Sequence, residues 1–322
     1  MLLEVKNLCL YYKSNYGKFE VINNMNFSME RGEVVAIVGE SASGKSSLGE
    51  VLSTIVPEDA IVTGSAKIDG NELVNISESQ KYKVRGTDVF MIFQNPLNSL
   101  NPLKTIGYQL METLQLKYYK ENKNIDMNDI KNKVIEILQK LRIPDPESIM
   151  RRYPHQVSGG QVQRIVIAMA LLLKPKLLIA DEPTTALDVT VQAQVVKLLK
   201  ELNKEMGMSI IFITHDISLA YVLSDRILVM YSGRIMEIGN SDDVVKDPLH
   251  PYTKGLINSL PEKSKYDGKL ESIQGSPPSY ENLPRGCTFN PRCPFAMEKC
   301  RQSEPDYINV GNNRYLRCWL YE

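Results

Sequence analysis

Five consecutive apolar residues, Val34–Val38, lead directly into a glycine-bearing octapeptide, Gly39–Ser46. An uninterrupted apolar run that ends in glycine is typical of a buried parallel strand feeding a tight turn. The octapeptide fits the pattern G-x-x-x-x-G-K-[ST], whose backbone N–H groups and following helix N-terminus bind phosphate. We expect Lys45 to neutralise the terminal phosphates of a nucleotide and the Ser46 hydroxyl to bind Mg²⁺. Ala42 stands where such loops often carry glycine, and a positive φ there would cost on the order of 1 kcal/mol.

Two further apolar runs end in a polar residue. Leu177–Ala180 precedes Asp181, and Ser209–Thr214 precedes His215. Between them Val191–Glu205, followed by glycine, has the pattern of a helix. Buried strands that alternate with helices predict an α/β fold with a mostly parallel sheet and crossover helices.

Three other segments have strand patterns. Leu2–Tyr12 and Gly64–Asp69 are β-branched and alternating, and Ile227–Ile238 contains Ser232-Gly233 between two apolar runs. The last pattern predicts a hairpin, which we expect at the edge of the predicted α/β fold.

The segment from Leu103 to Arg152 breaks the alternation of strands and helices. Its apolar residues recur at helical spacing behind a cap at Asp126 or Asn128. This stripe consists of Ile130, Val134, Ile137, Leu138 and Leu141. We predict a helical subdomain, about residues 95–172, inserted into the α/β core.

Polar side chains at the ends of the predicted strands are candidates for chemistry. One carboxylate at such a position can hold Mg²⁺ and its neighbour can orient or deprotonate water, so we assign Asp181 to the metal and Glu182 to the water. Gln94 follows a further apolar run, where its amide either senses Mg²⁺ and the attacking water or caps a loop. His215 either hydrogen-bonds the γ-phosphate or is structural. We interpret the other two histidines, His155 and His250, as structural.

The pentapeptide Val157–Gln161 lies about twenty residues before Asp181 and offers a second set of backbone donors for phosphate. The phosphate loop already binds the chain's own nucleotide. A surplus site is useful if it closes over the nucleotide of another subunit, so the sequence indicates an ATPase that works in pairs. Near the N-terminus, either Tyr16 or Tyr12 is a candidate for stacking on adenine.

Composition limits the partners. Lys plus Arg and Asp plus Glu number 38 each, so the overall charge indicates no nucleic-acid partner. The richest apolar run, Ile165–Leu173, falls short of the roughly 18 residues of a membrane span. Met1–Lys6 lacks the features of a signal peptide. We expect a cytosolic chain whose membrane role is peripheral.

Four of the five cysteines lie close together after residue 280, at Cys287, Cys293, Cys300 and Cys318. In a reducing compartment this grouping favours a metal or cluster site over disulfides. The spacing C-x5-C-x6-C-x17-C lacks the paired C-x2-C of common zinc modules. Four thiolates can also bind an iron–sulfur cluster.

Over residues 1–240 the order of these motifs, including Ala186-Leu187-Asp188, resembles that of ATP-binding cassette (ABC) ATPases. Several segments resemble the oligopeptide/dipeptide importer branch, namely Met91–Pro102, Tyr153–Gln156, His250–Lys254, Ile273–Pro278 and Leu283–Pro294. The resemblance implies a P-loop NTPase of ABC type, with a mostly parallel sheet, an antiparallel β subdomain and the inserted helical subdomain. It also implies a nucleotide-binding domain over residues 1–240 and a small cysteine-bearing region over 241–322.

The resemblance further implies the residues that contact nucleotide. Those for the subunit's own ATP are Tyr16, Gly39, Ser41, Ala42, Ser43, Gly44, Lys45, Ser46, Ser47, Gln94, Asp181, Glu182 and His215. Those for the ATP of the opposite subunit are Ser158, Gly159, Gly160, Gln161 and Asp188. Catalysis is assigned to Lys45, Gln94, Glu182 and His215, and Mg²⁺ binding to Ser46, Gln94 and Asp181. Tyr16 is preferred to Tyr12 for adenine because it lies 23 residues before Gly39.

The cysteine region resembles that of family members thought to carry a [4Fe–4S] cluster, so a cluster with a structural role is expected at the four cysteines, ahead of zinc. Arg285, Arg292 and Arg317 would offset the thiolate charge.

As a whole, the resemblance implies the ATP-hydrolysing subunit of an importer for di- and oligopeptides at the cytoplasmic face of the membrane. Its partners would be a second, related ABC ATPase, two transmembrane permease subunits and an extracytoplasmic substrate-binding protein. Related importers of oligosaccharides or nickel are an alternative. A soluble ABC ATPase and a redox regulator are further hypotheses.

Overall fold

The computed structural model describes residues 1–14, 17–185, 188–260 and 272–322, which form two compact units. The first unit combines Met1–Asn75 with Phe212–Glu322. The second unit is the continuous segment Ile76–Ile211. Two segments far apart in sequence therefore fold together, and the segment between them forms a body of its own.

The first unit contains a four-stranded antiparallel sheet in the order β2-β1-β4-β5. Its strands are β1 (Leu3–Ser14), β2 (Gly17–Met29), β4 (Ile61–Ile68) and β5 (Asn71–Glu72). Leu8, Leu10 and Ile22 are fully buried on one face, while charged residues occupy the other. This alternation is what allows an antiparallel sheet to have one solvated face.

A second group of strands in the first unit runs in the order β11-β12-β10-β9-β3. Strands β3 (Val34–Val38) and β9 (Arg226–Tyr231) are parallel, and β9 turns back into β10 (Arg234–Asn240). The turn residues Ser232 and Gly233 have φ values of 43° and 78°, as a two-residue hairpin requires.

The predicted hairpin is therefore present, but its outer strand is not a free edge. Strand β12 (Arg314–Leu316) pairs antiparallel with β10, and β11 (Ile308–Gly311) pairs with β12. These short strands belong to the cysteine-bearing region. That region thus extends the sheet instead of forming a separate appendage to it.

Five helices accompany these strands in the described residues of the first unit. They are α1 (Lys45–Leu52), α8 (Ile217–Leu223), α9 (Ser241–Lys246), α10 (Pro251–Asn258) and α11 (Glu298–Gln302). The rings of Tyr231, Tyr252 and Phe289 meet in the core, with centroids 4.7 to 5.3 Å apart. Aromatic pairs of this kind contribute about 0.5–1.5 kcal/mol each beyond their buried area. They join β9, α10 and the cysteine-bearing region into one core.

A buried ion pair fixes the same region to β10. Glu237 is fully buried and Arg314 is only 9% exposed. The Glu237 carboxylate accepts hydrogen bonds from the Arg314 guanidinium and from the backbone N–H groups of Leu249 and His250. A buried carboxylate needs this many partners, because its desolvation costs several kcal/mol.

The second unit carries two parallel strands, β6 (Val89–Ile92) and β7 (Leu177–Asp181). Its helices are α2 (Glu78–Val84), α3 (Ile106–Lys120), α4 (Met127–Lys140), α5 (Pro146–Arg151), α6 (Gly159–Leu173) and α7 (Val189–Met206). Strand β8 (Ser209–Thr214) is where the chain passes back to the first unit.

The helices predicted between Leu103 and Arg152 are present, and Asp126 rather than Asn128 is the cap of α4. Its carboxylate accepts from the Asn128 N–H at 2.9 Å. The predicted helix over Val191–Glu205 is also present and ends at Gly207, whose φ is 62°. In the part of the chain that the structure describes, none of the helices is both long and apolar enough to cross a membrane.

Candidate functional site

The octapeptide Gly39–Ser46 forms the turn between β3 and α1. A side chain at Gly39 is excluded, since a Cβ there would lie 2.2 Å from the Met230 carbonyl oxygen. Gly44 caps α1 with a φ of 93°. Ala42 adopts a φ of 59°, so the left-handed conformation that was suspected from the sequence is present. An alanine in this conformation costs about 1 kcal/mol or somewhat more.

Lys45 is buried, with 5% of the residue exposed, and its ammonium group lies inside the loop. It donates to the carbonyl oxygens of Gly39 and Glu40 at 2.9 and 2.8 Å, and to Ser43 Oγ at 3.3 Å. Ser46 follows in the first turn of α1 and is exposed. The loop therefore presents a positive charge, a hydroxyl and the N-terminal N–H groups of α1 from one short segment, which suits a nucleotide phosphate with Mg²⁺.

The acidic strand end lies in the second unit. Asp181 is the last residue of β7 and is 4% exposed. Glu182 leaves the strand with a φ of 42°. Its Oε2 accepts two hydrogen bonds of 2.9 Å, one from Gln94 Nε2 and one from Thr185 Oγ1. The carboxylate is thus held in one orientation by two neutral donors, as a base that must face a water requires.

Thr185 was not among the residues predicted from the sequence. It lies three residues after Glu182, and its N–H also bonds to the Glu182 carbonyl oxygen at 3.1 Å. A hydroxyl residue three positions after a carboxylate in a turn is the signal that would have identified it. Gln94, which was predicted, contacts this carboxylate directly.

The pentapeptide Val157–Gln161 begins α6. Ser158 caps the helix, and its backbone N–H donates to the Gln161 side chain at 3.0 Å in a reciprocal capping box. Ser158 and Gly159 are exposed, and within the described residues nothing lies within 4 Å of a Cβ built at Gly159. The glycine leaves the helix N-terminus open to a close approach from outside the chain, as the pairing hypothesis needs.

Asp188 is also exposed, and its carboxylate accepts from the Val191 N–H at 2.9 Å as the cap of α7. His215 is exposed directly after β8. Lys45, Ser46 and His215 belong to the first unit, whereas Gln94, Asp181, Glu182, Ser158–Gln161 and Asp188 belong to the second.

The two adenine candidates differ. Tyr16 lies outside the described residues, as do Ala186 and Leu187 of the motif around Asp188. The Tyr12 ring packs against Phe19 at a centroid distance of 6.1 Å. Burial raises the pKa of Tyr12, and its hydroxyl interacts with side chains of Ser47 and Glu50 on α1.

His250 is structural, as expected. The residue is buried, and its Nδ1 accepts a hydrogen bond from the Tyr252 N–H at 3.0 Å, which caps α10. Burial lowers the pKa of His250 to about 3, so the imidazole is neutral.

The four cysteines of the C-terminal region line one small cavity. Their thiols are free and mostly buried, and burial raises the pKa of Cys287 to about 12 and that of Cys318 to about 11. The neighbouring cysteines contribute to the rise of both pKa values. Within the described ranges, no three His, Cys, Asp or Glu side chains are placed to hold a metal ion.

Two arginines expected to offset thiolate charge are paired elsewhere. Arg292 contacts Glu40 and Arg317 contacts Glu304, both through carboxylate oxygens. A carboxylate is a full negative charge, whereas a buried thiol is neutral, so the guanidinium groups select the carboxylates. That these arginines offset thiolate charge stays a prediction.

Comparison with known proteins extends over the whole chain. Residues 22–185 match the ABC transporter family, and residues 236–300 match the oligopeptide/dipeptide transporter C-terminal region. The chain is 44% identical over 323 residues to the oligopeptide transport ATP-binding protein AppD of Bacillus subtilis, covering 100% of this chain and 97% of that protein. It is 44% identical to the dipeptide transport ATP-binding protein DppD of Haemophilus influenzae, covering 98% and 94% respectively.

Among solved structures, the chain resembles the dimeric ATP-binding cassette MJ0796 in a post-hydrolysis state bound to ADP and phosphate. The TM-score is 0.66 with 27% sequence identity, covering 74% of this chain and 99% of the other. The fold is thus the ABC ATPase fold that the motif order predicted. The chain belongs to the ABC transporter family of ATPases, with the C-terminal region of the oligopeptide/dipeptide transporters.

Proposed function

We propose that the chain is the ATP-hydrolysing subunit that powers import of di- and oligopeptides through a membrane permease. The observation that carries the ATPase assignment is the Glu182 carboxylate, held by Gln94 and Thr185 at the end of a buried strand. The peptide assignment is supported by relatives named as oligopeptide and dipeptide transport proteins that align over nearly their whole length. Their names favour peptides over oligosaccharides or nickel.

In this proposal the chain's own nucleotide lies on the phosphate loop. Lys45 and the N–H groups of α1 would bind the β- and γ-phosphates, and Ser46, Gln94 and Asp181 are the residues that would hold Mg²⁺. Glu182 takes the proton of the attacking water, with Gln94 keeping the carboxylate and water in line. His215 donates to the γ-phosphate as charge develops on it.

The exposed N-terminus of α6 serves the opposite subunit. Ser158, Gly160 and Gln161 contact the γ-phosphate held by the partner ATPase, and Asp188 lies along the same interface. Closure of two such subunits is driven because ATP binds the closed pair better than the open pair, which is the requirement for a ligand-driven switch. We infer that the partner is a related but distinct ABC ATPase.

Contact with the permease is assigned to the segment after Gln94. Leu97 and Leu103 in this segment are 47% and 86% exposed, and Tyr108 in α3 is 52% exposed. Contiguous exposed apolar surface marks protein interaction sites, and large exposed apolar side chains grouped in one segment are candidates for such a surface. Two permease subunits and an extracytoplasmic substrate-binding protein complete the importer, and this chain works at the cytoplasmic face of the membrane.

Cys287, Cys293, Cys300 and Cys318 are proposed to hold a [4Fe–4S] cluster with a structural role. The observation that fits is that all four thiols line one cavity in an otherwise apolar environment. Iron–sulfur clusters are held by four cysteine thiolates, and zinc is the second candidate for this site. Visible absorption and iron analysis of anaerobically purified protein, with Cys287→Ser as control, test the assignment.

A domain boundary near residue 240 belongs to the same proposal. Residues 1–240 are assigned to the nucleotide-binding domain, with the helical subdomain at about 95–172. Residues 241–322 are assigned to the region specific to this importer branch.

Replacing Glu182 tests the catalytic assignment. Glu182→Gln keeps the shape and hydrogen bonds of the side chain but cannot take a proton. We expect retained ATP binding, a trapped closed pair and a loss of turnover of at least about a hundredfold. Undiminished hydrolysis would remove Glu182 from this role. Uptake of labelled peptide into vesicles that contain the whole importer tests the substrate class.

A further inference from the structure

The second residue of the phosphate loop, Glu40, is held by a side chain 252 positions later in sequence. The Arg292 guanidinium forms a two-pronged ion pair with its carboxylate, with Nη1 to Oε2 at 2.6 Å and Nη2 to Oε1 at 3.0 Å. The Arg292 side chain is 5% exposed and that of Glu40 is 28% exposed. Bidentate pairs shielded from water are among the strongest hydrogen-bonded contacts in proteins.

The other N–H groups of Arg292 are also engaged. Nε donates to the Gln274 carbonyl oxygen at 2.9 Å, and Nη2 donates to that of Gly275 at 3.2 Å. Nη1 also donates to the Tyr231 hydroxyl at 3.3 Å. All five donors of the guanidinium therefore have acceptors, and lysine lacks this planar fork. Hydrogen bonds therefore hold the Arg292 side chain against both the phosphate loop and the C-terminal region.

Two tyrosines approach the same loop. The Glu40 N–H donates to the hydroxyl of Tyr252 at 2.9 Å, and Tyr252 is fully buried in α10. A Cβ built at Gly44 would lie 3.2 Å from the hydroxyl of Tyr280. Three residues of the C-terminal region, Arg292, Tyr252 and Tyr280, therefore lie against the phosphate loop.

Arg292 and Tyr252 contact Glu40, the loop residue whose backbone is bonded to Lys45. The Glu40 carbonyl oxygen accepts from Lys45 Nζ, so the side chain, N–H and carbonyl oxygen of Glu40 are all fixed. A phosphate loop binds through the direction of its N–H groups. If the loop is held before nucleotide arrives, less conformational entropy is lost on binding.

We propose that Arg292 is a positioning residue for nucleotide binding, which acts through Glu40 to preorganise the phosphate loop. The region that distinguishes this importer branch therefore sets the nucleotide affinity of the cassette. This inference rests on the proposed role of Gly39–Ser46 in binding phosphate.

Binding and hydrolysis by the 322-residue chain test the proposal. Arg292→Ala should raise the Kd and KM for Mg-ATP about tenfold while kcat at saturating ATP changes less than about twofold. Arg301→Ala is the matched control, since Arg301 is exposed in the same region and pairs with Glu298 at 3.5 Å. Arg292→Ala should also speed amide hydrogen exchange in residues 39–46 without nucleotide, whereas the control should not.

Glu40→Gln keeps the test decisive if Arg292→Ala fails to fold, because it leaves the C-terminal region intact. It should reproduce the rise in Kd, and the double variant should add no more than about twofold, since both changes remove one contact. A Kd for Glu40→Gln equal to that of the parent would overturn the proposal, as would additive effects. Lys45→Ala distinguishes a failure of the Arg292 proposal from a failure of the proposed role of Gly39–Ser46. If Lys45→Ala still binds ATP, the assignment of Gly39–Ser46 as the phosphate loop is wrong.

Discussion

The hydroxyl of Thr185 donates a hydrogen bond of 2.9 Å to Oε2 of Glu182, the same oxygen that accepts from Gln94. Two donors on one oxygen fix the carboxylate about its last torsion angle. A general base must be aligned to a fraction of an ångström, and lost alignment lowers the rate without lowering substrate binding.

We therefore expect Thr185→Ala to lower kcat about tenfold with little change in the Kd for ATP. Thr185→Ser keeps the hydroxyl and should retain most of the activity. Steady-state hydrolysis and equilibrium nucleotide binding check both expectations. Equal losses in the two variants would show that the methyl group matters rather than the hydrogen bond.

The buried Glu237–Arg314 ion pair predicts that loss of the arginine strongly lowers the stability of the fold. Arg314→Ala leaves a fully buried carboxylate without its counter-ion, which should lower the free energy of unfolding by about 3–5 kcal/mol. Arg301→Ala removes an exposed pair and should cost less than about 1 kcal/mol. Urea titrations monitored by circular dichroism compare them. A loss as small as that of the control would mean that Glu237 does not need this partner.

His250 predicts a pH dependence of stability. Burial lowers the pKa of its imidazole to about 3 in the folded chain, against an ordinary value of 6.5. The folded state thus binds fewer protons between these values, and stability that is present above pH 6.5 is lost as the pH falls. Between pH 7.5 and 5.0 the histidine alone should remove roughly 2 kcal/mol.

The matched variant is His250→Asn, because asparagine caps helices and does not titrate in this range. It should show a shallower pH dependence than the parent in urea titrations at pH 7.5, 6.0 and 5.0. The baseline stability of the variant is irrelevant to this comparison. Parallel pH profiles would contradict the assigned cause.

Exchanging alanine and glycine at two positions of the phosphate loop should change the free energy of unfolding in opposite directions. Ala42→Gly removes the left-handed strain at φ 59° but frees the unfolded chain, so the net gain should be below about 1 kcal/mol. Gly44→Ala adds that strain at φ 93° and places a Cβ 2.9 Å from the Val21 carbonyl oxygen. It should cost about 2 kcal/mol or more and weaken ATP binding, as thermal melts and nucleotide titrations would show.

Local patterns predicted much of the molecule because their causes are local. The apolar run before Gly39 formed a buried strand, the loop adopted its strained turn at Ala42, and Asp126 capped α4. Each of these features depends on residues within a few positions of one another.

Contacts between distant segments left no such pattern. Strand β12 has three residues, too few for a periodicity, and its place is set by pairing with β10. Arg292 and Glu40 are ordinary charged residues until the fold brings them together.

The discontinuity of the first unit has a consequence for synthesis on the ribosome. Residues 76–211 form one continuous unit, so all the contacts within it are available once this segment has emerged. Strand β3, which leads into the phosphate loop, must wait for β9, which is translated after residue 211. Glu237 must likewise wait 77 residues for Arg314. A nascent chain therefore carries an unfinished phosphate loop for most of its translation, and chaperone binding in that interval should fall on the first unit.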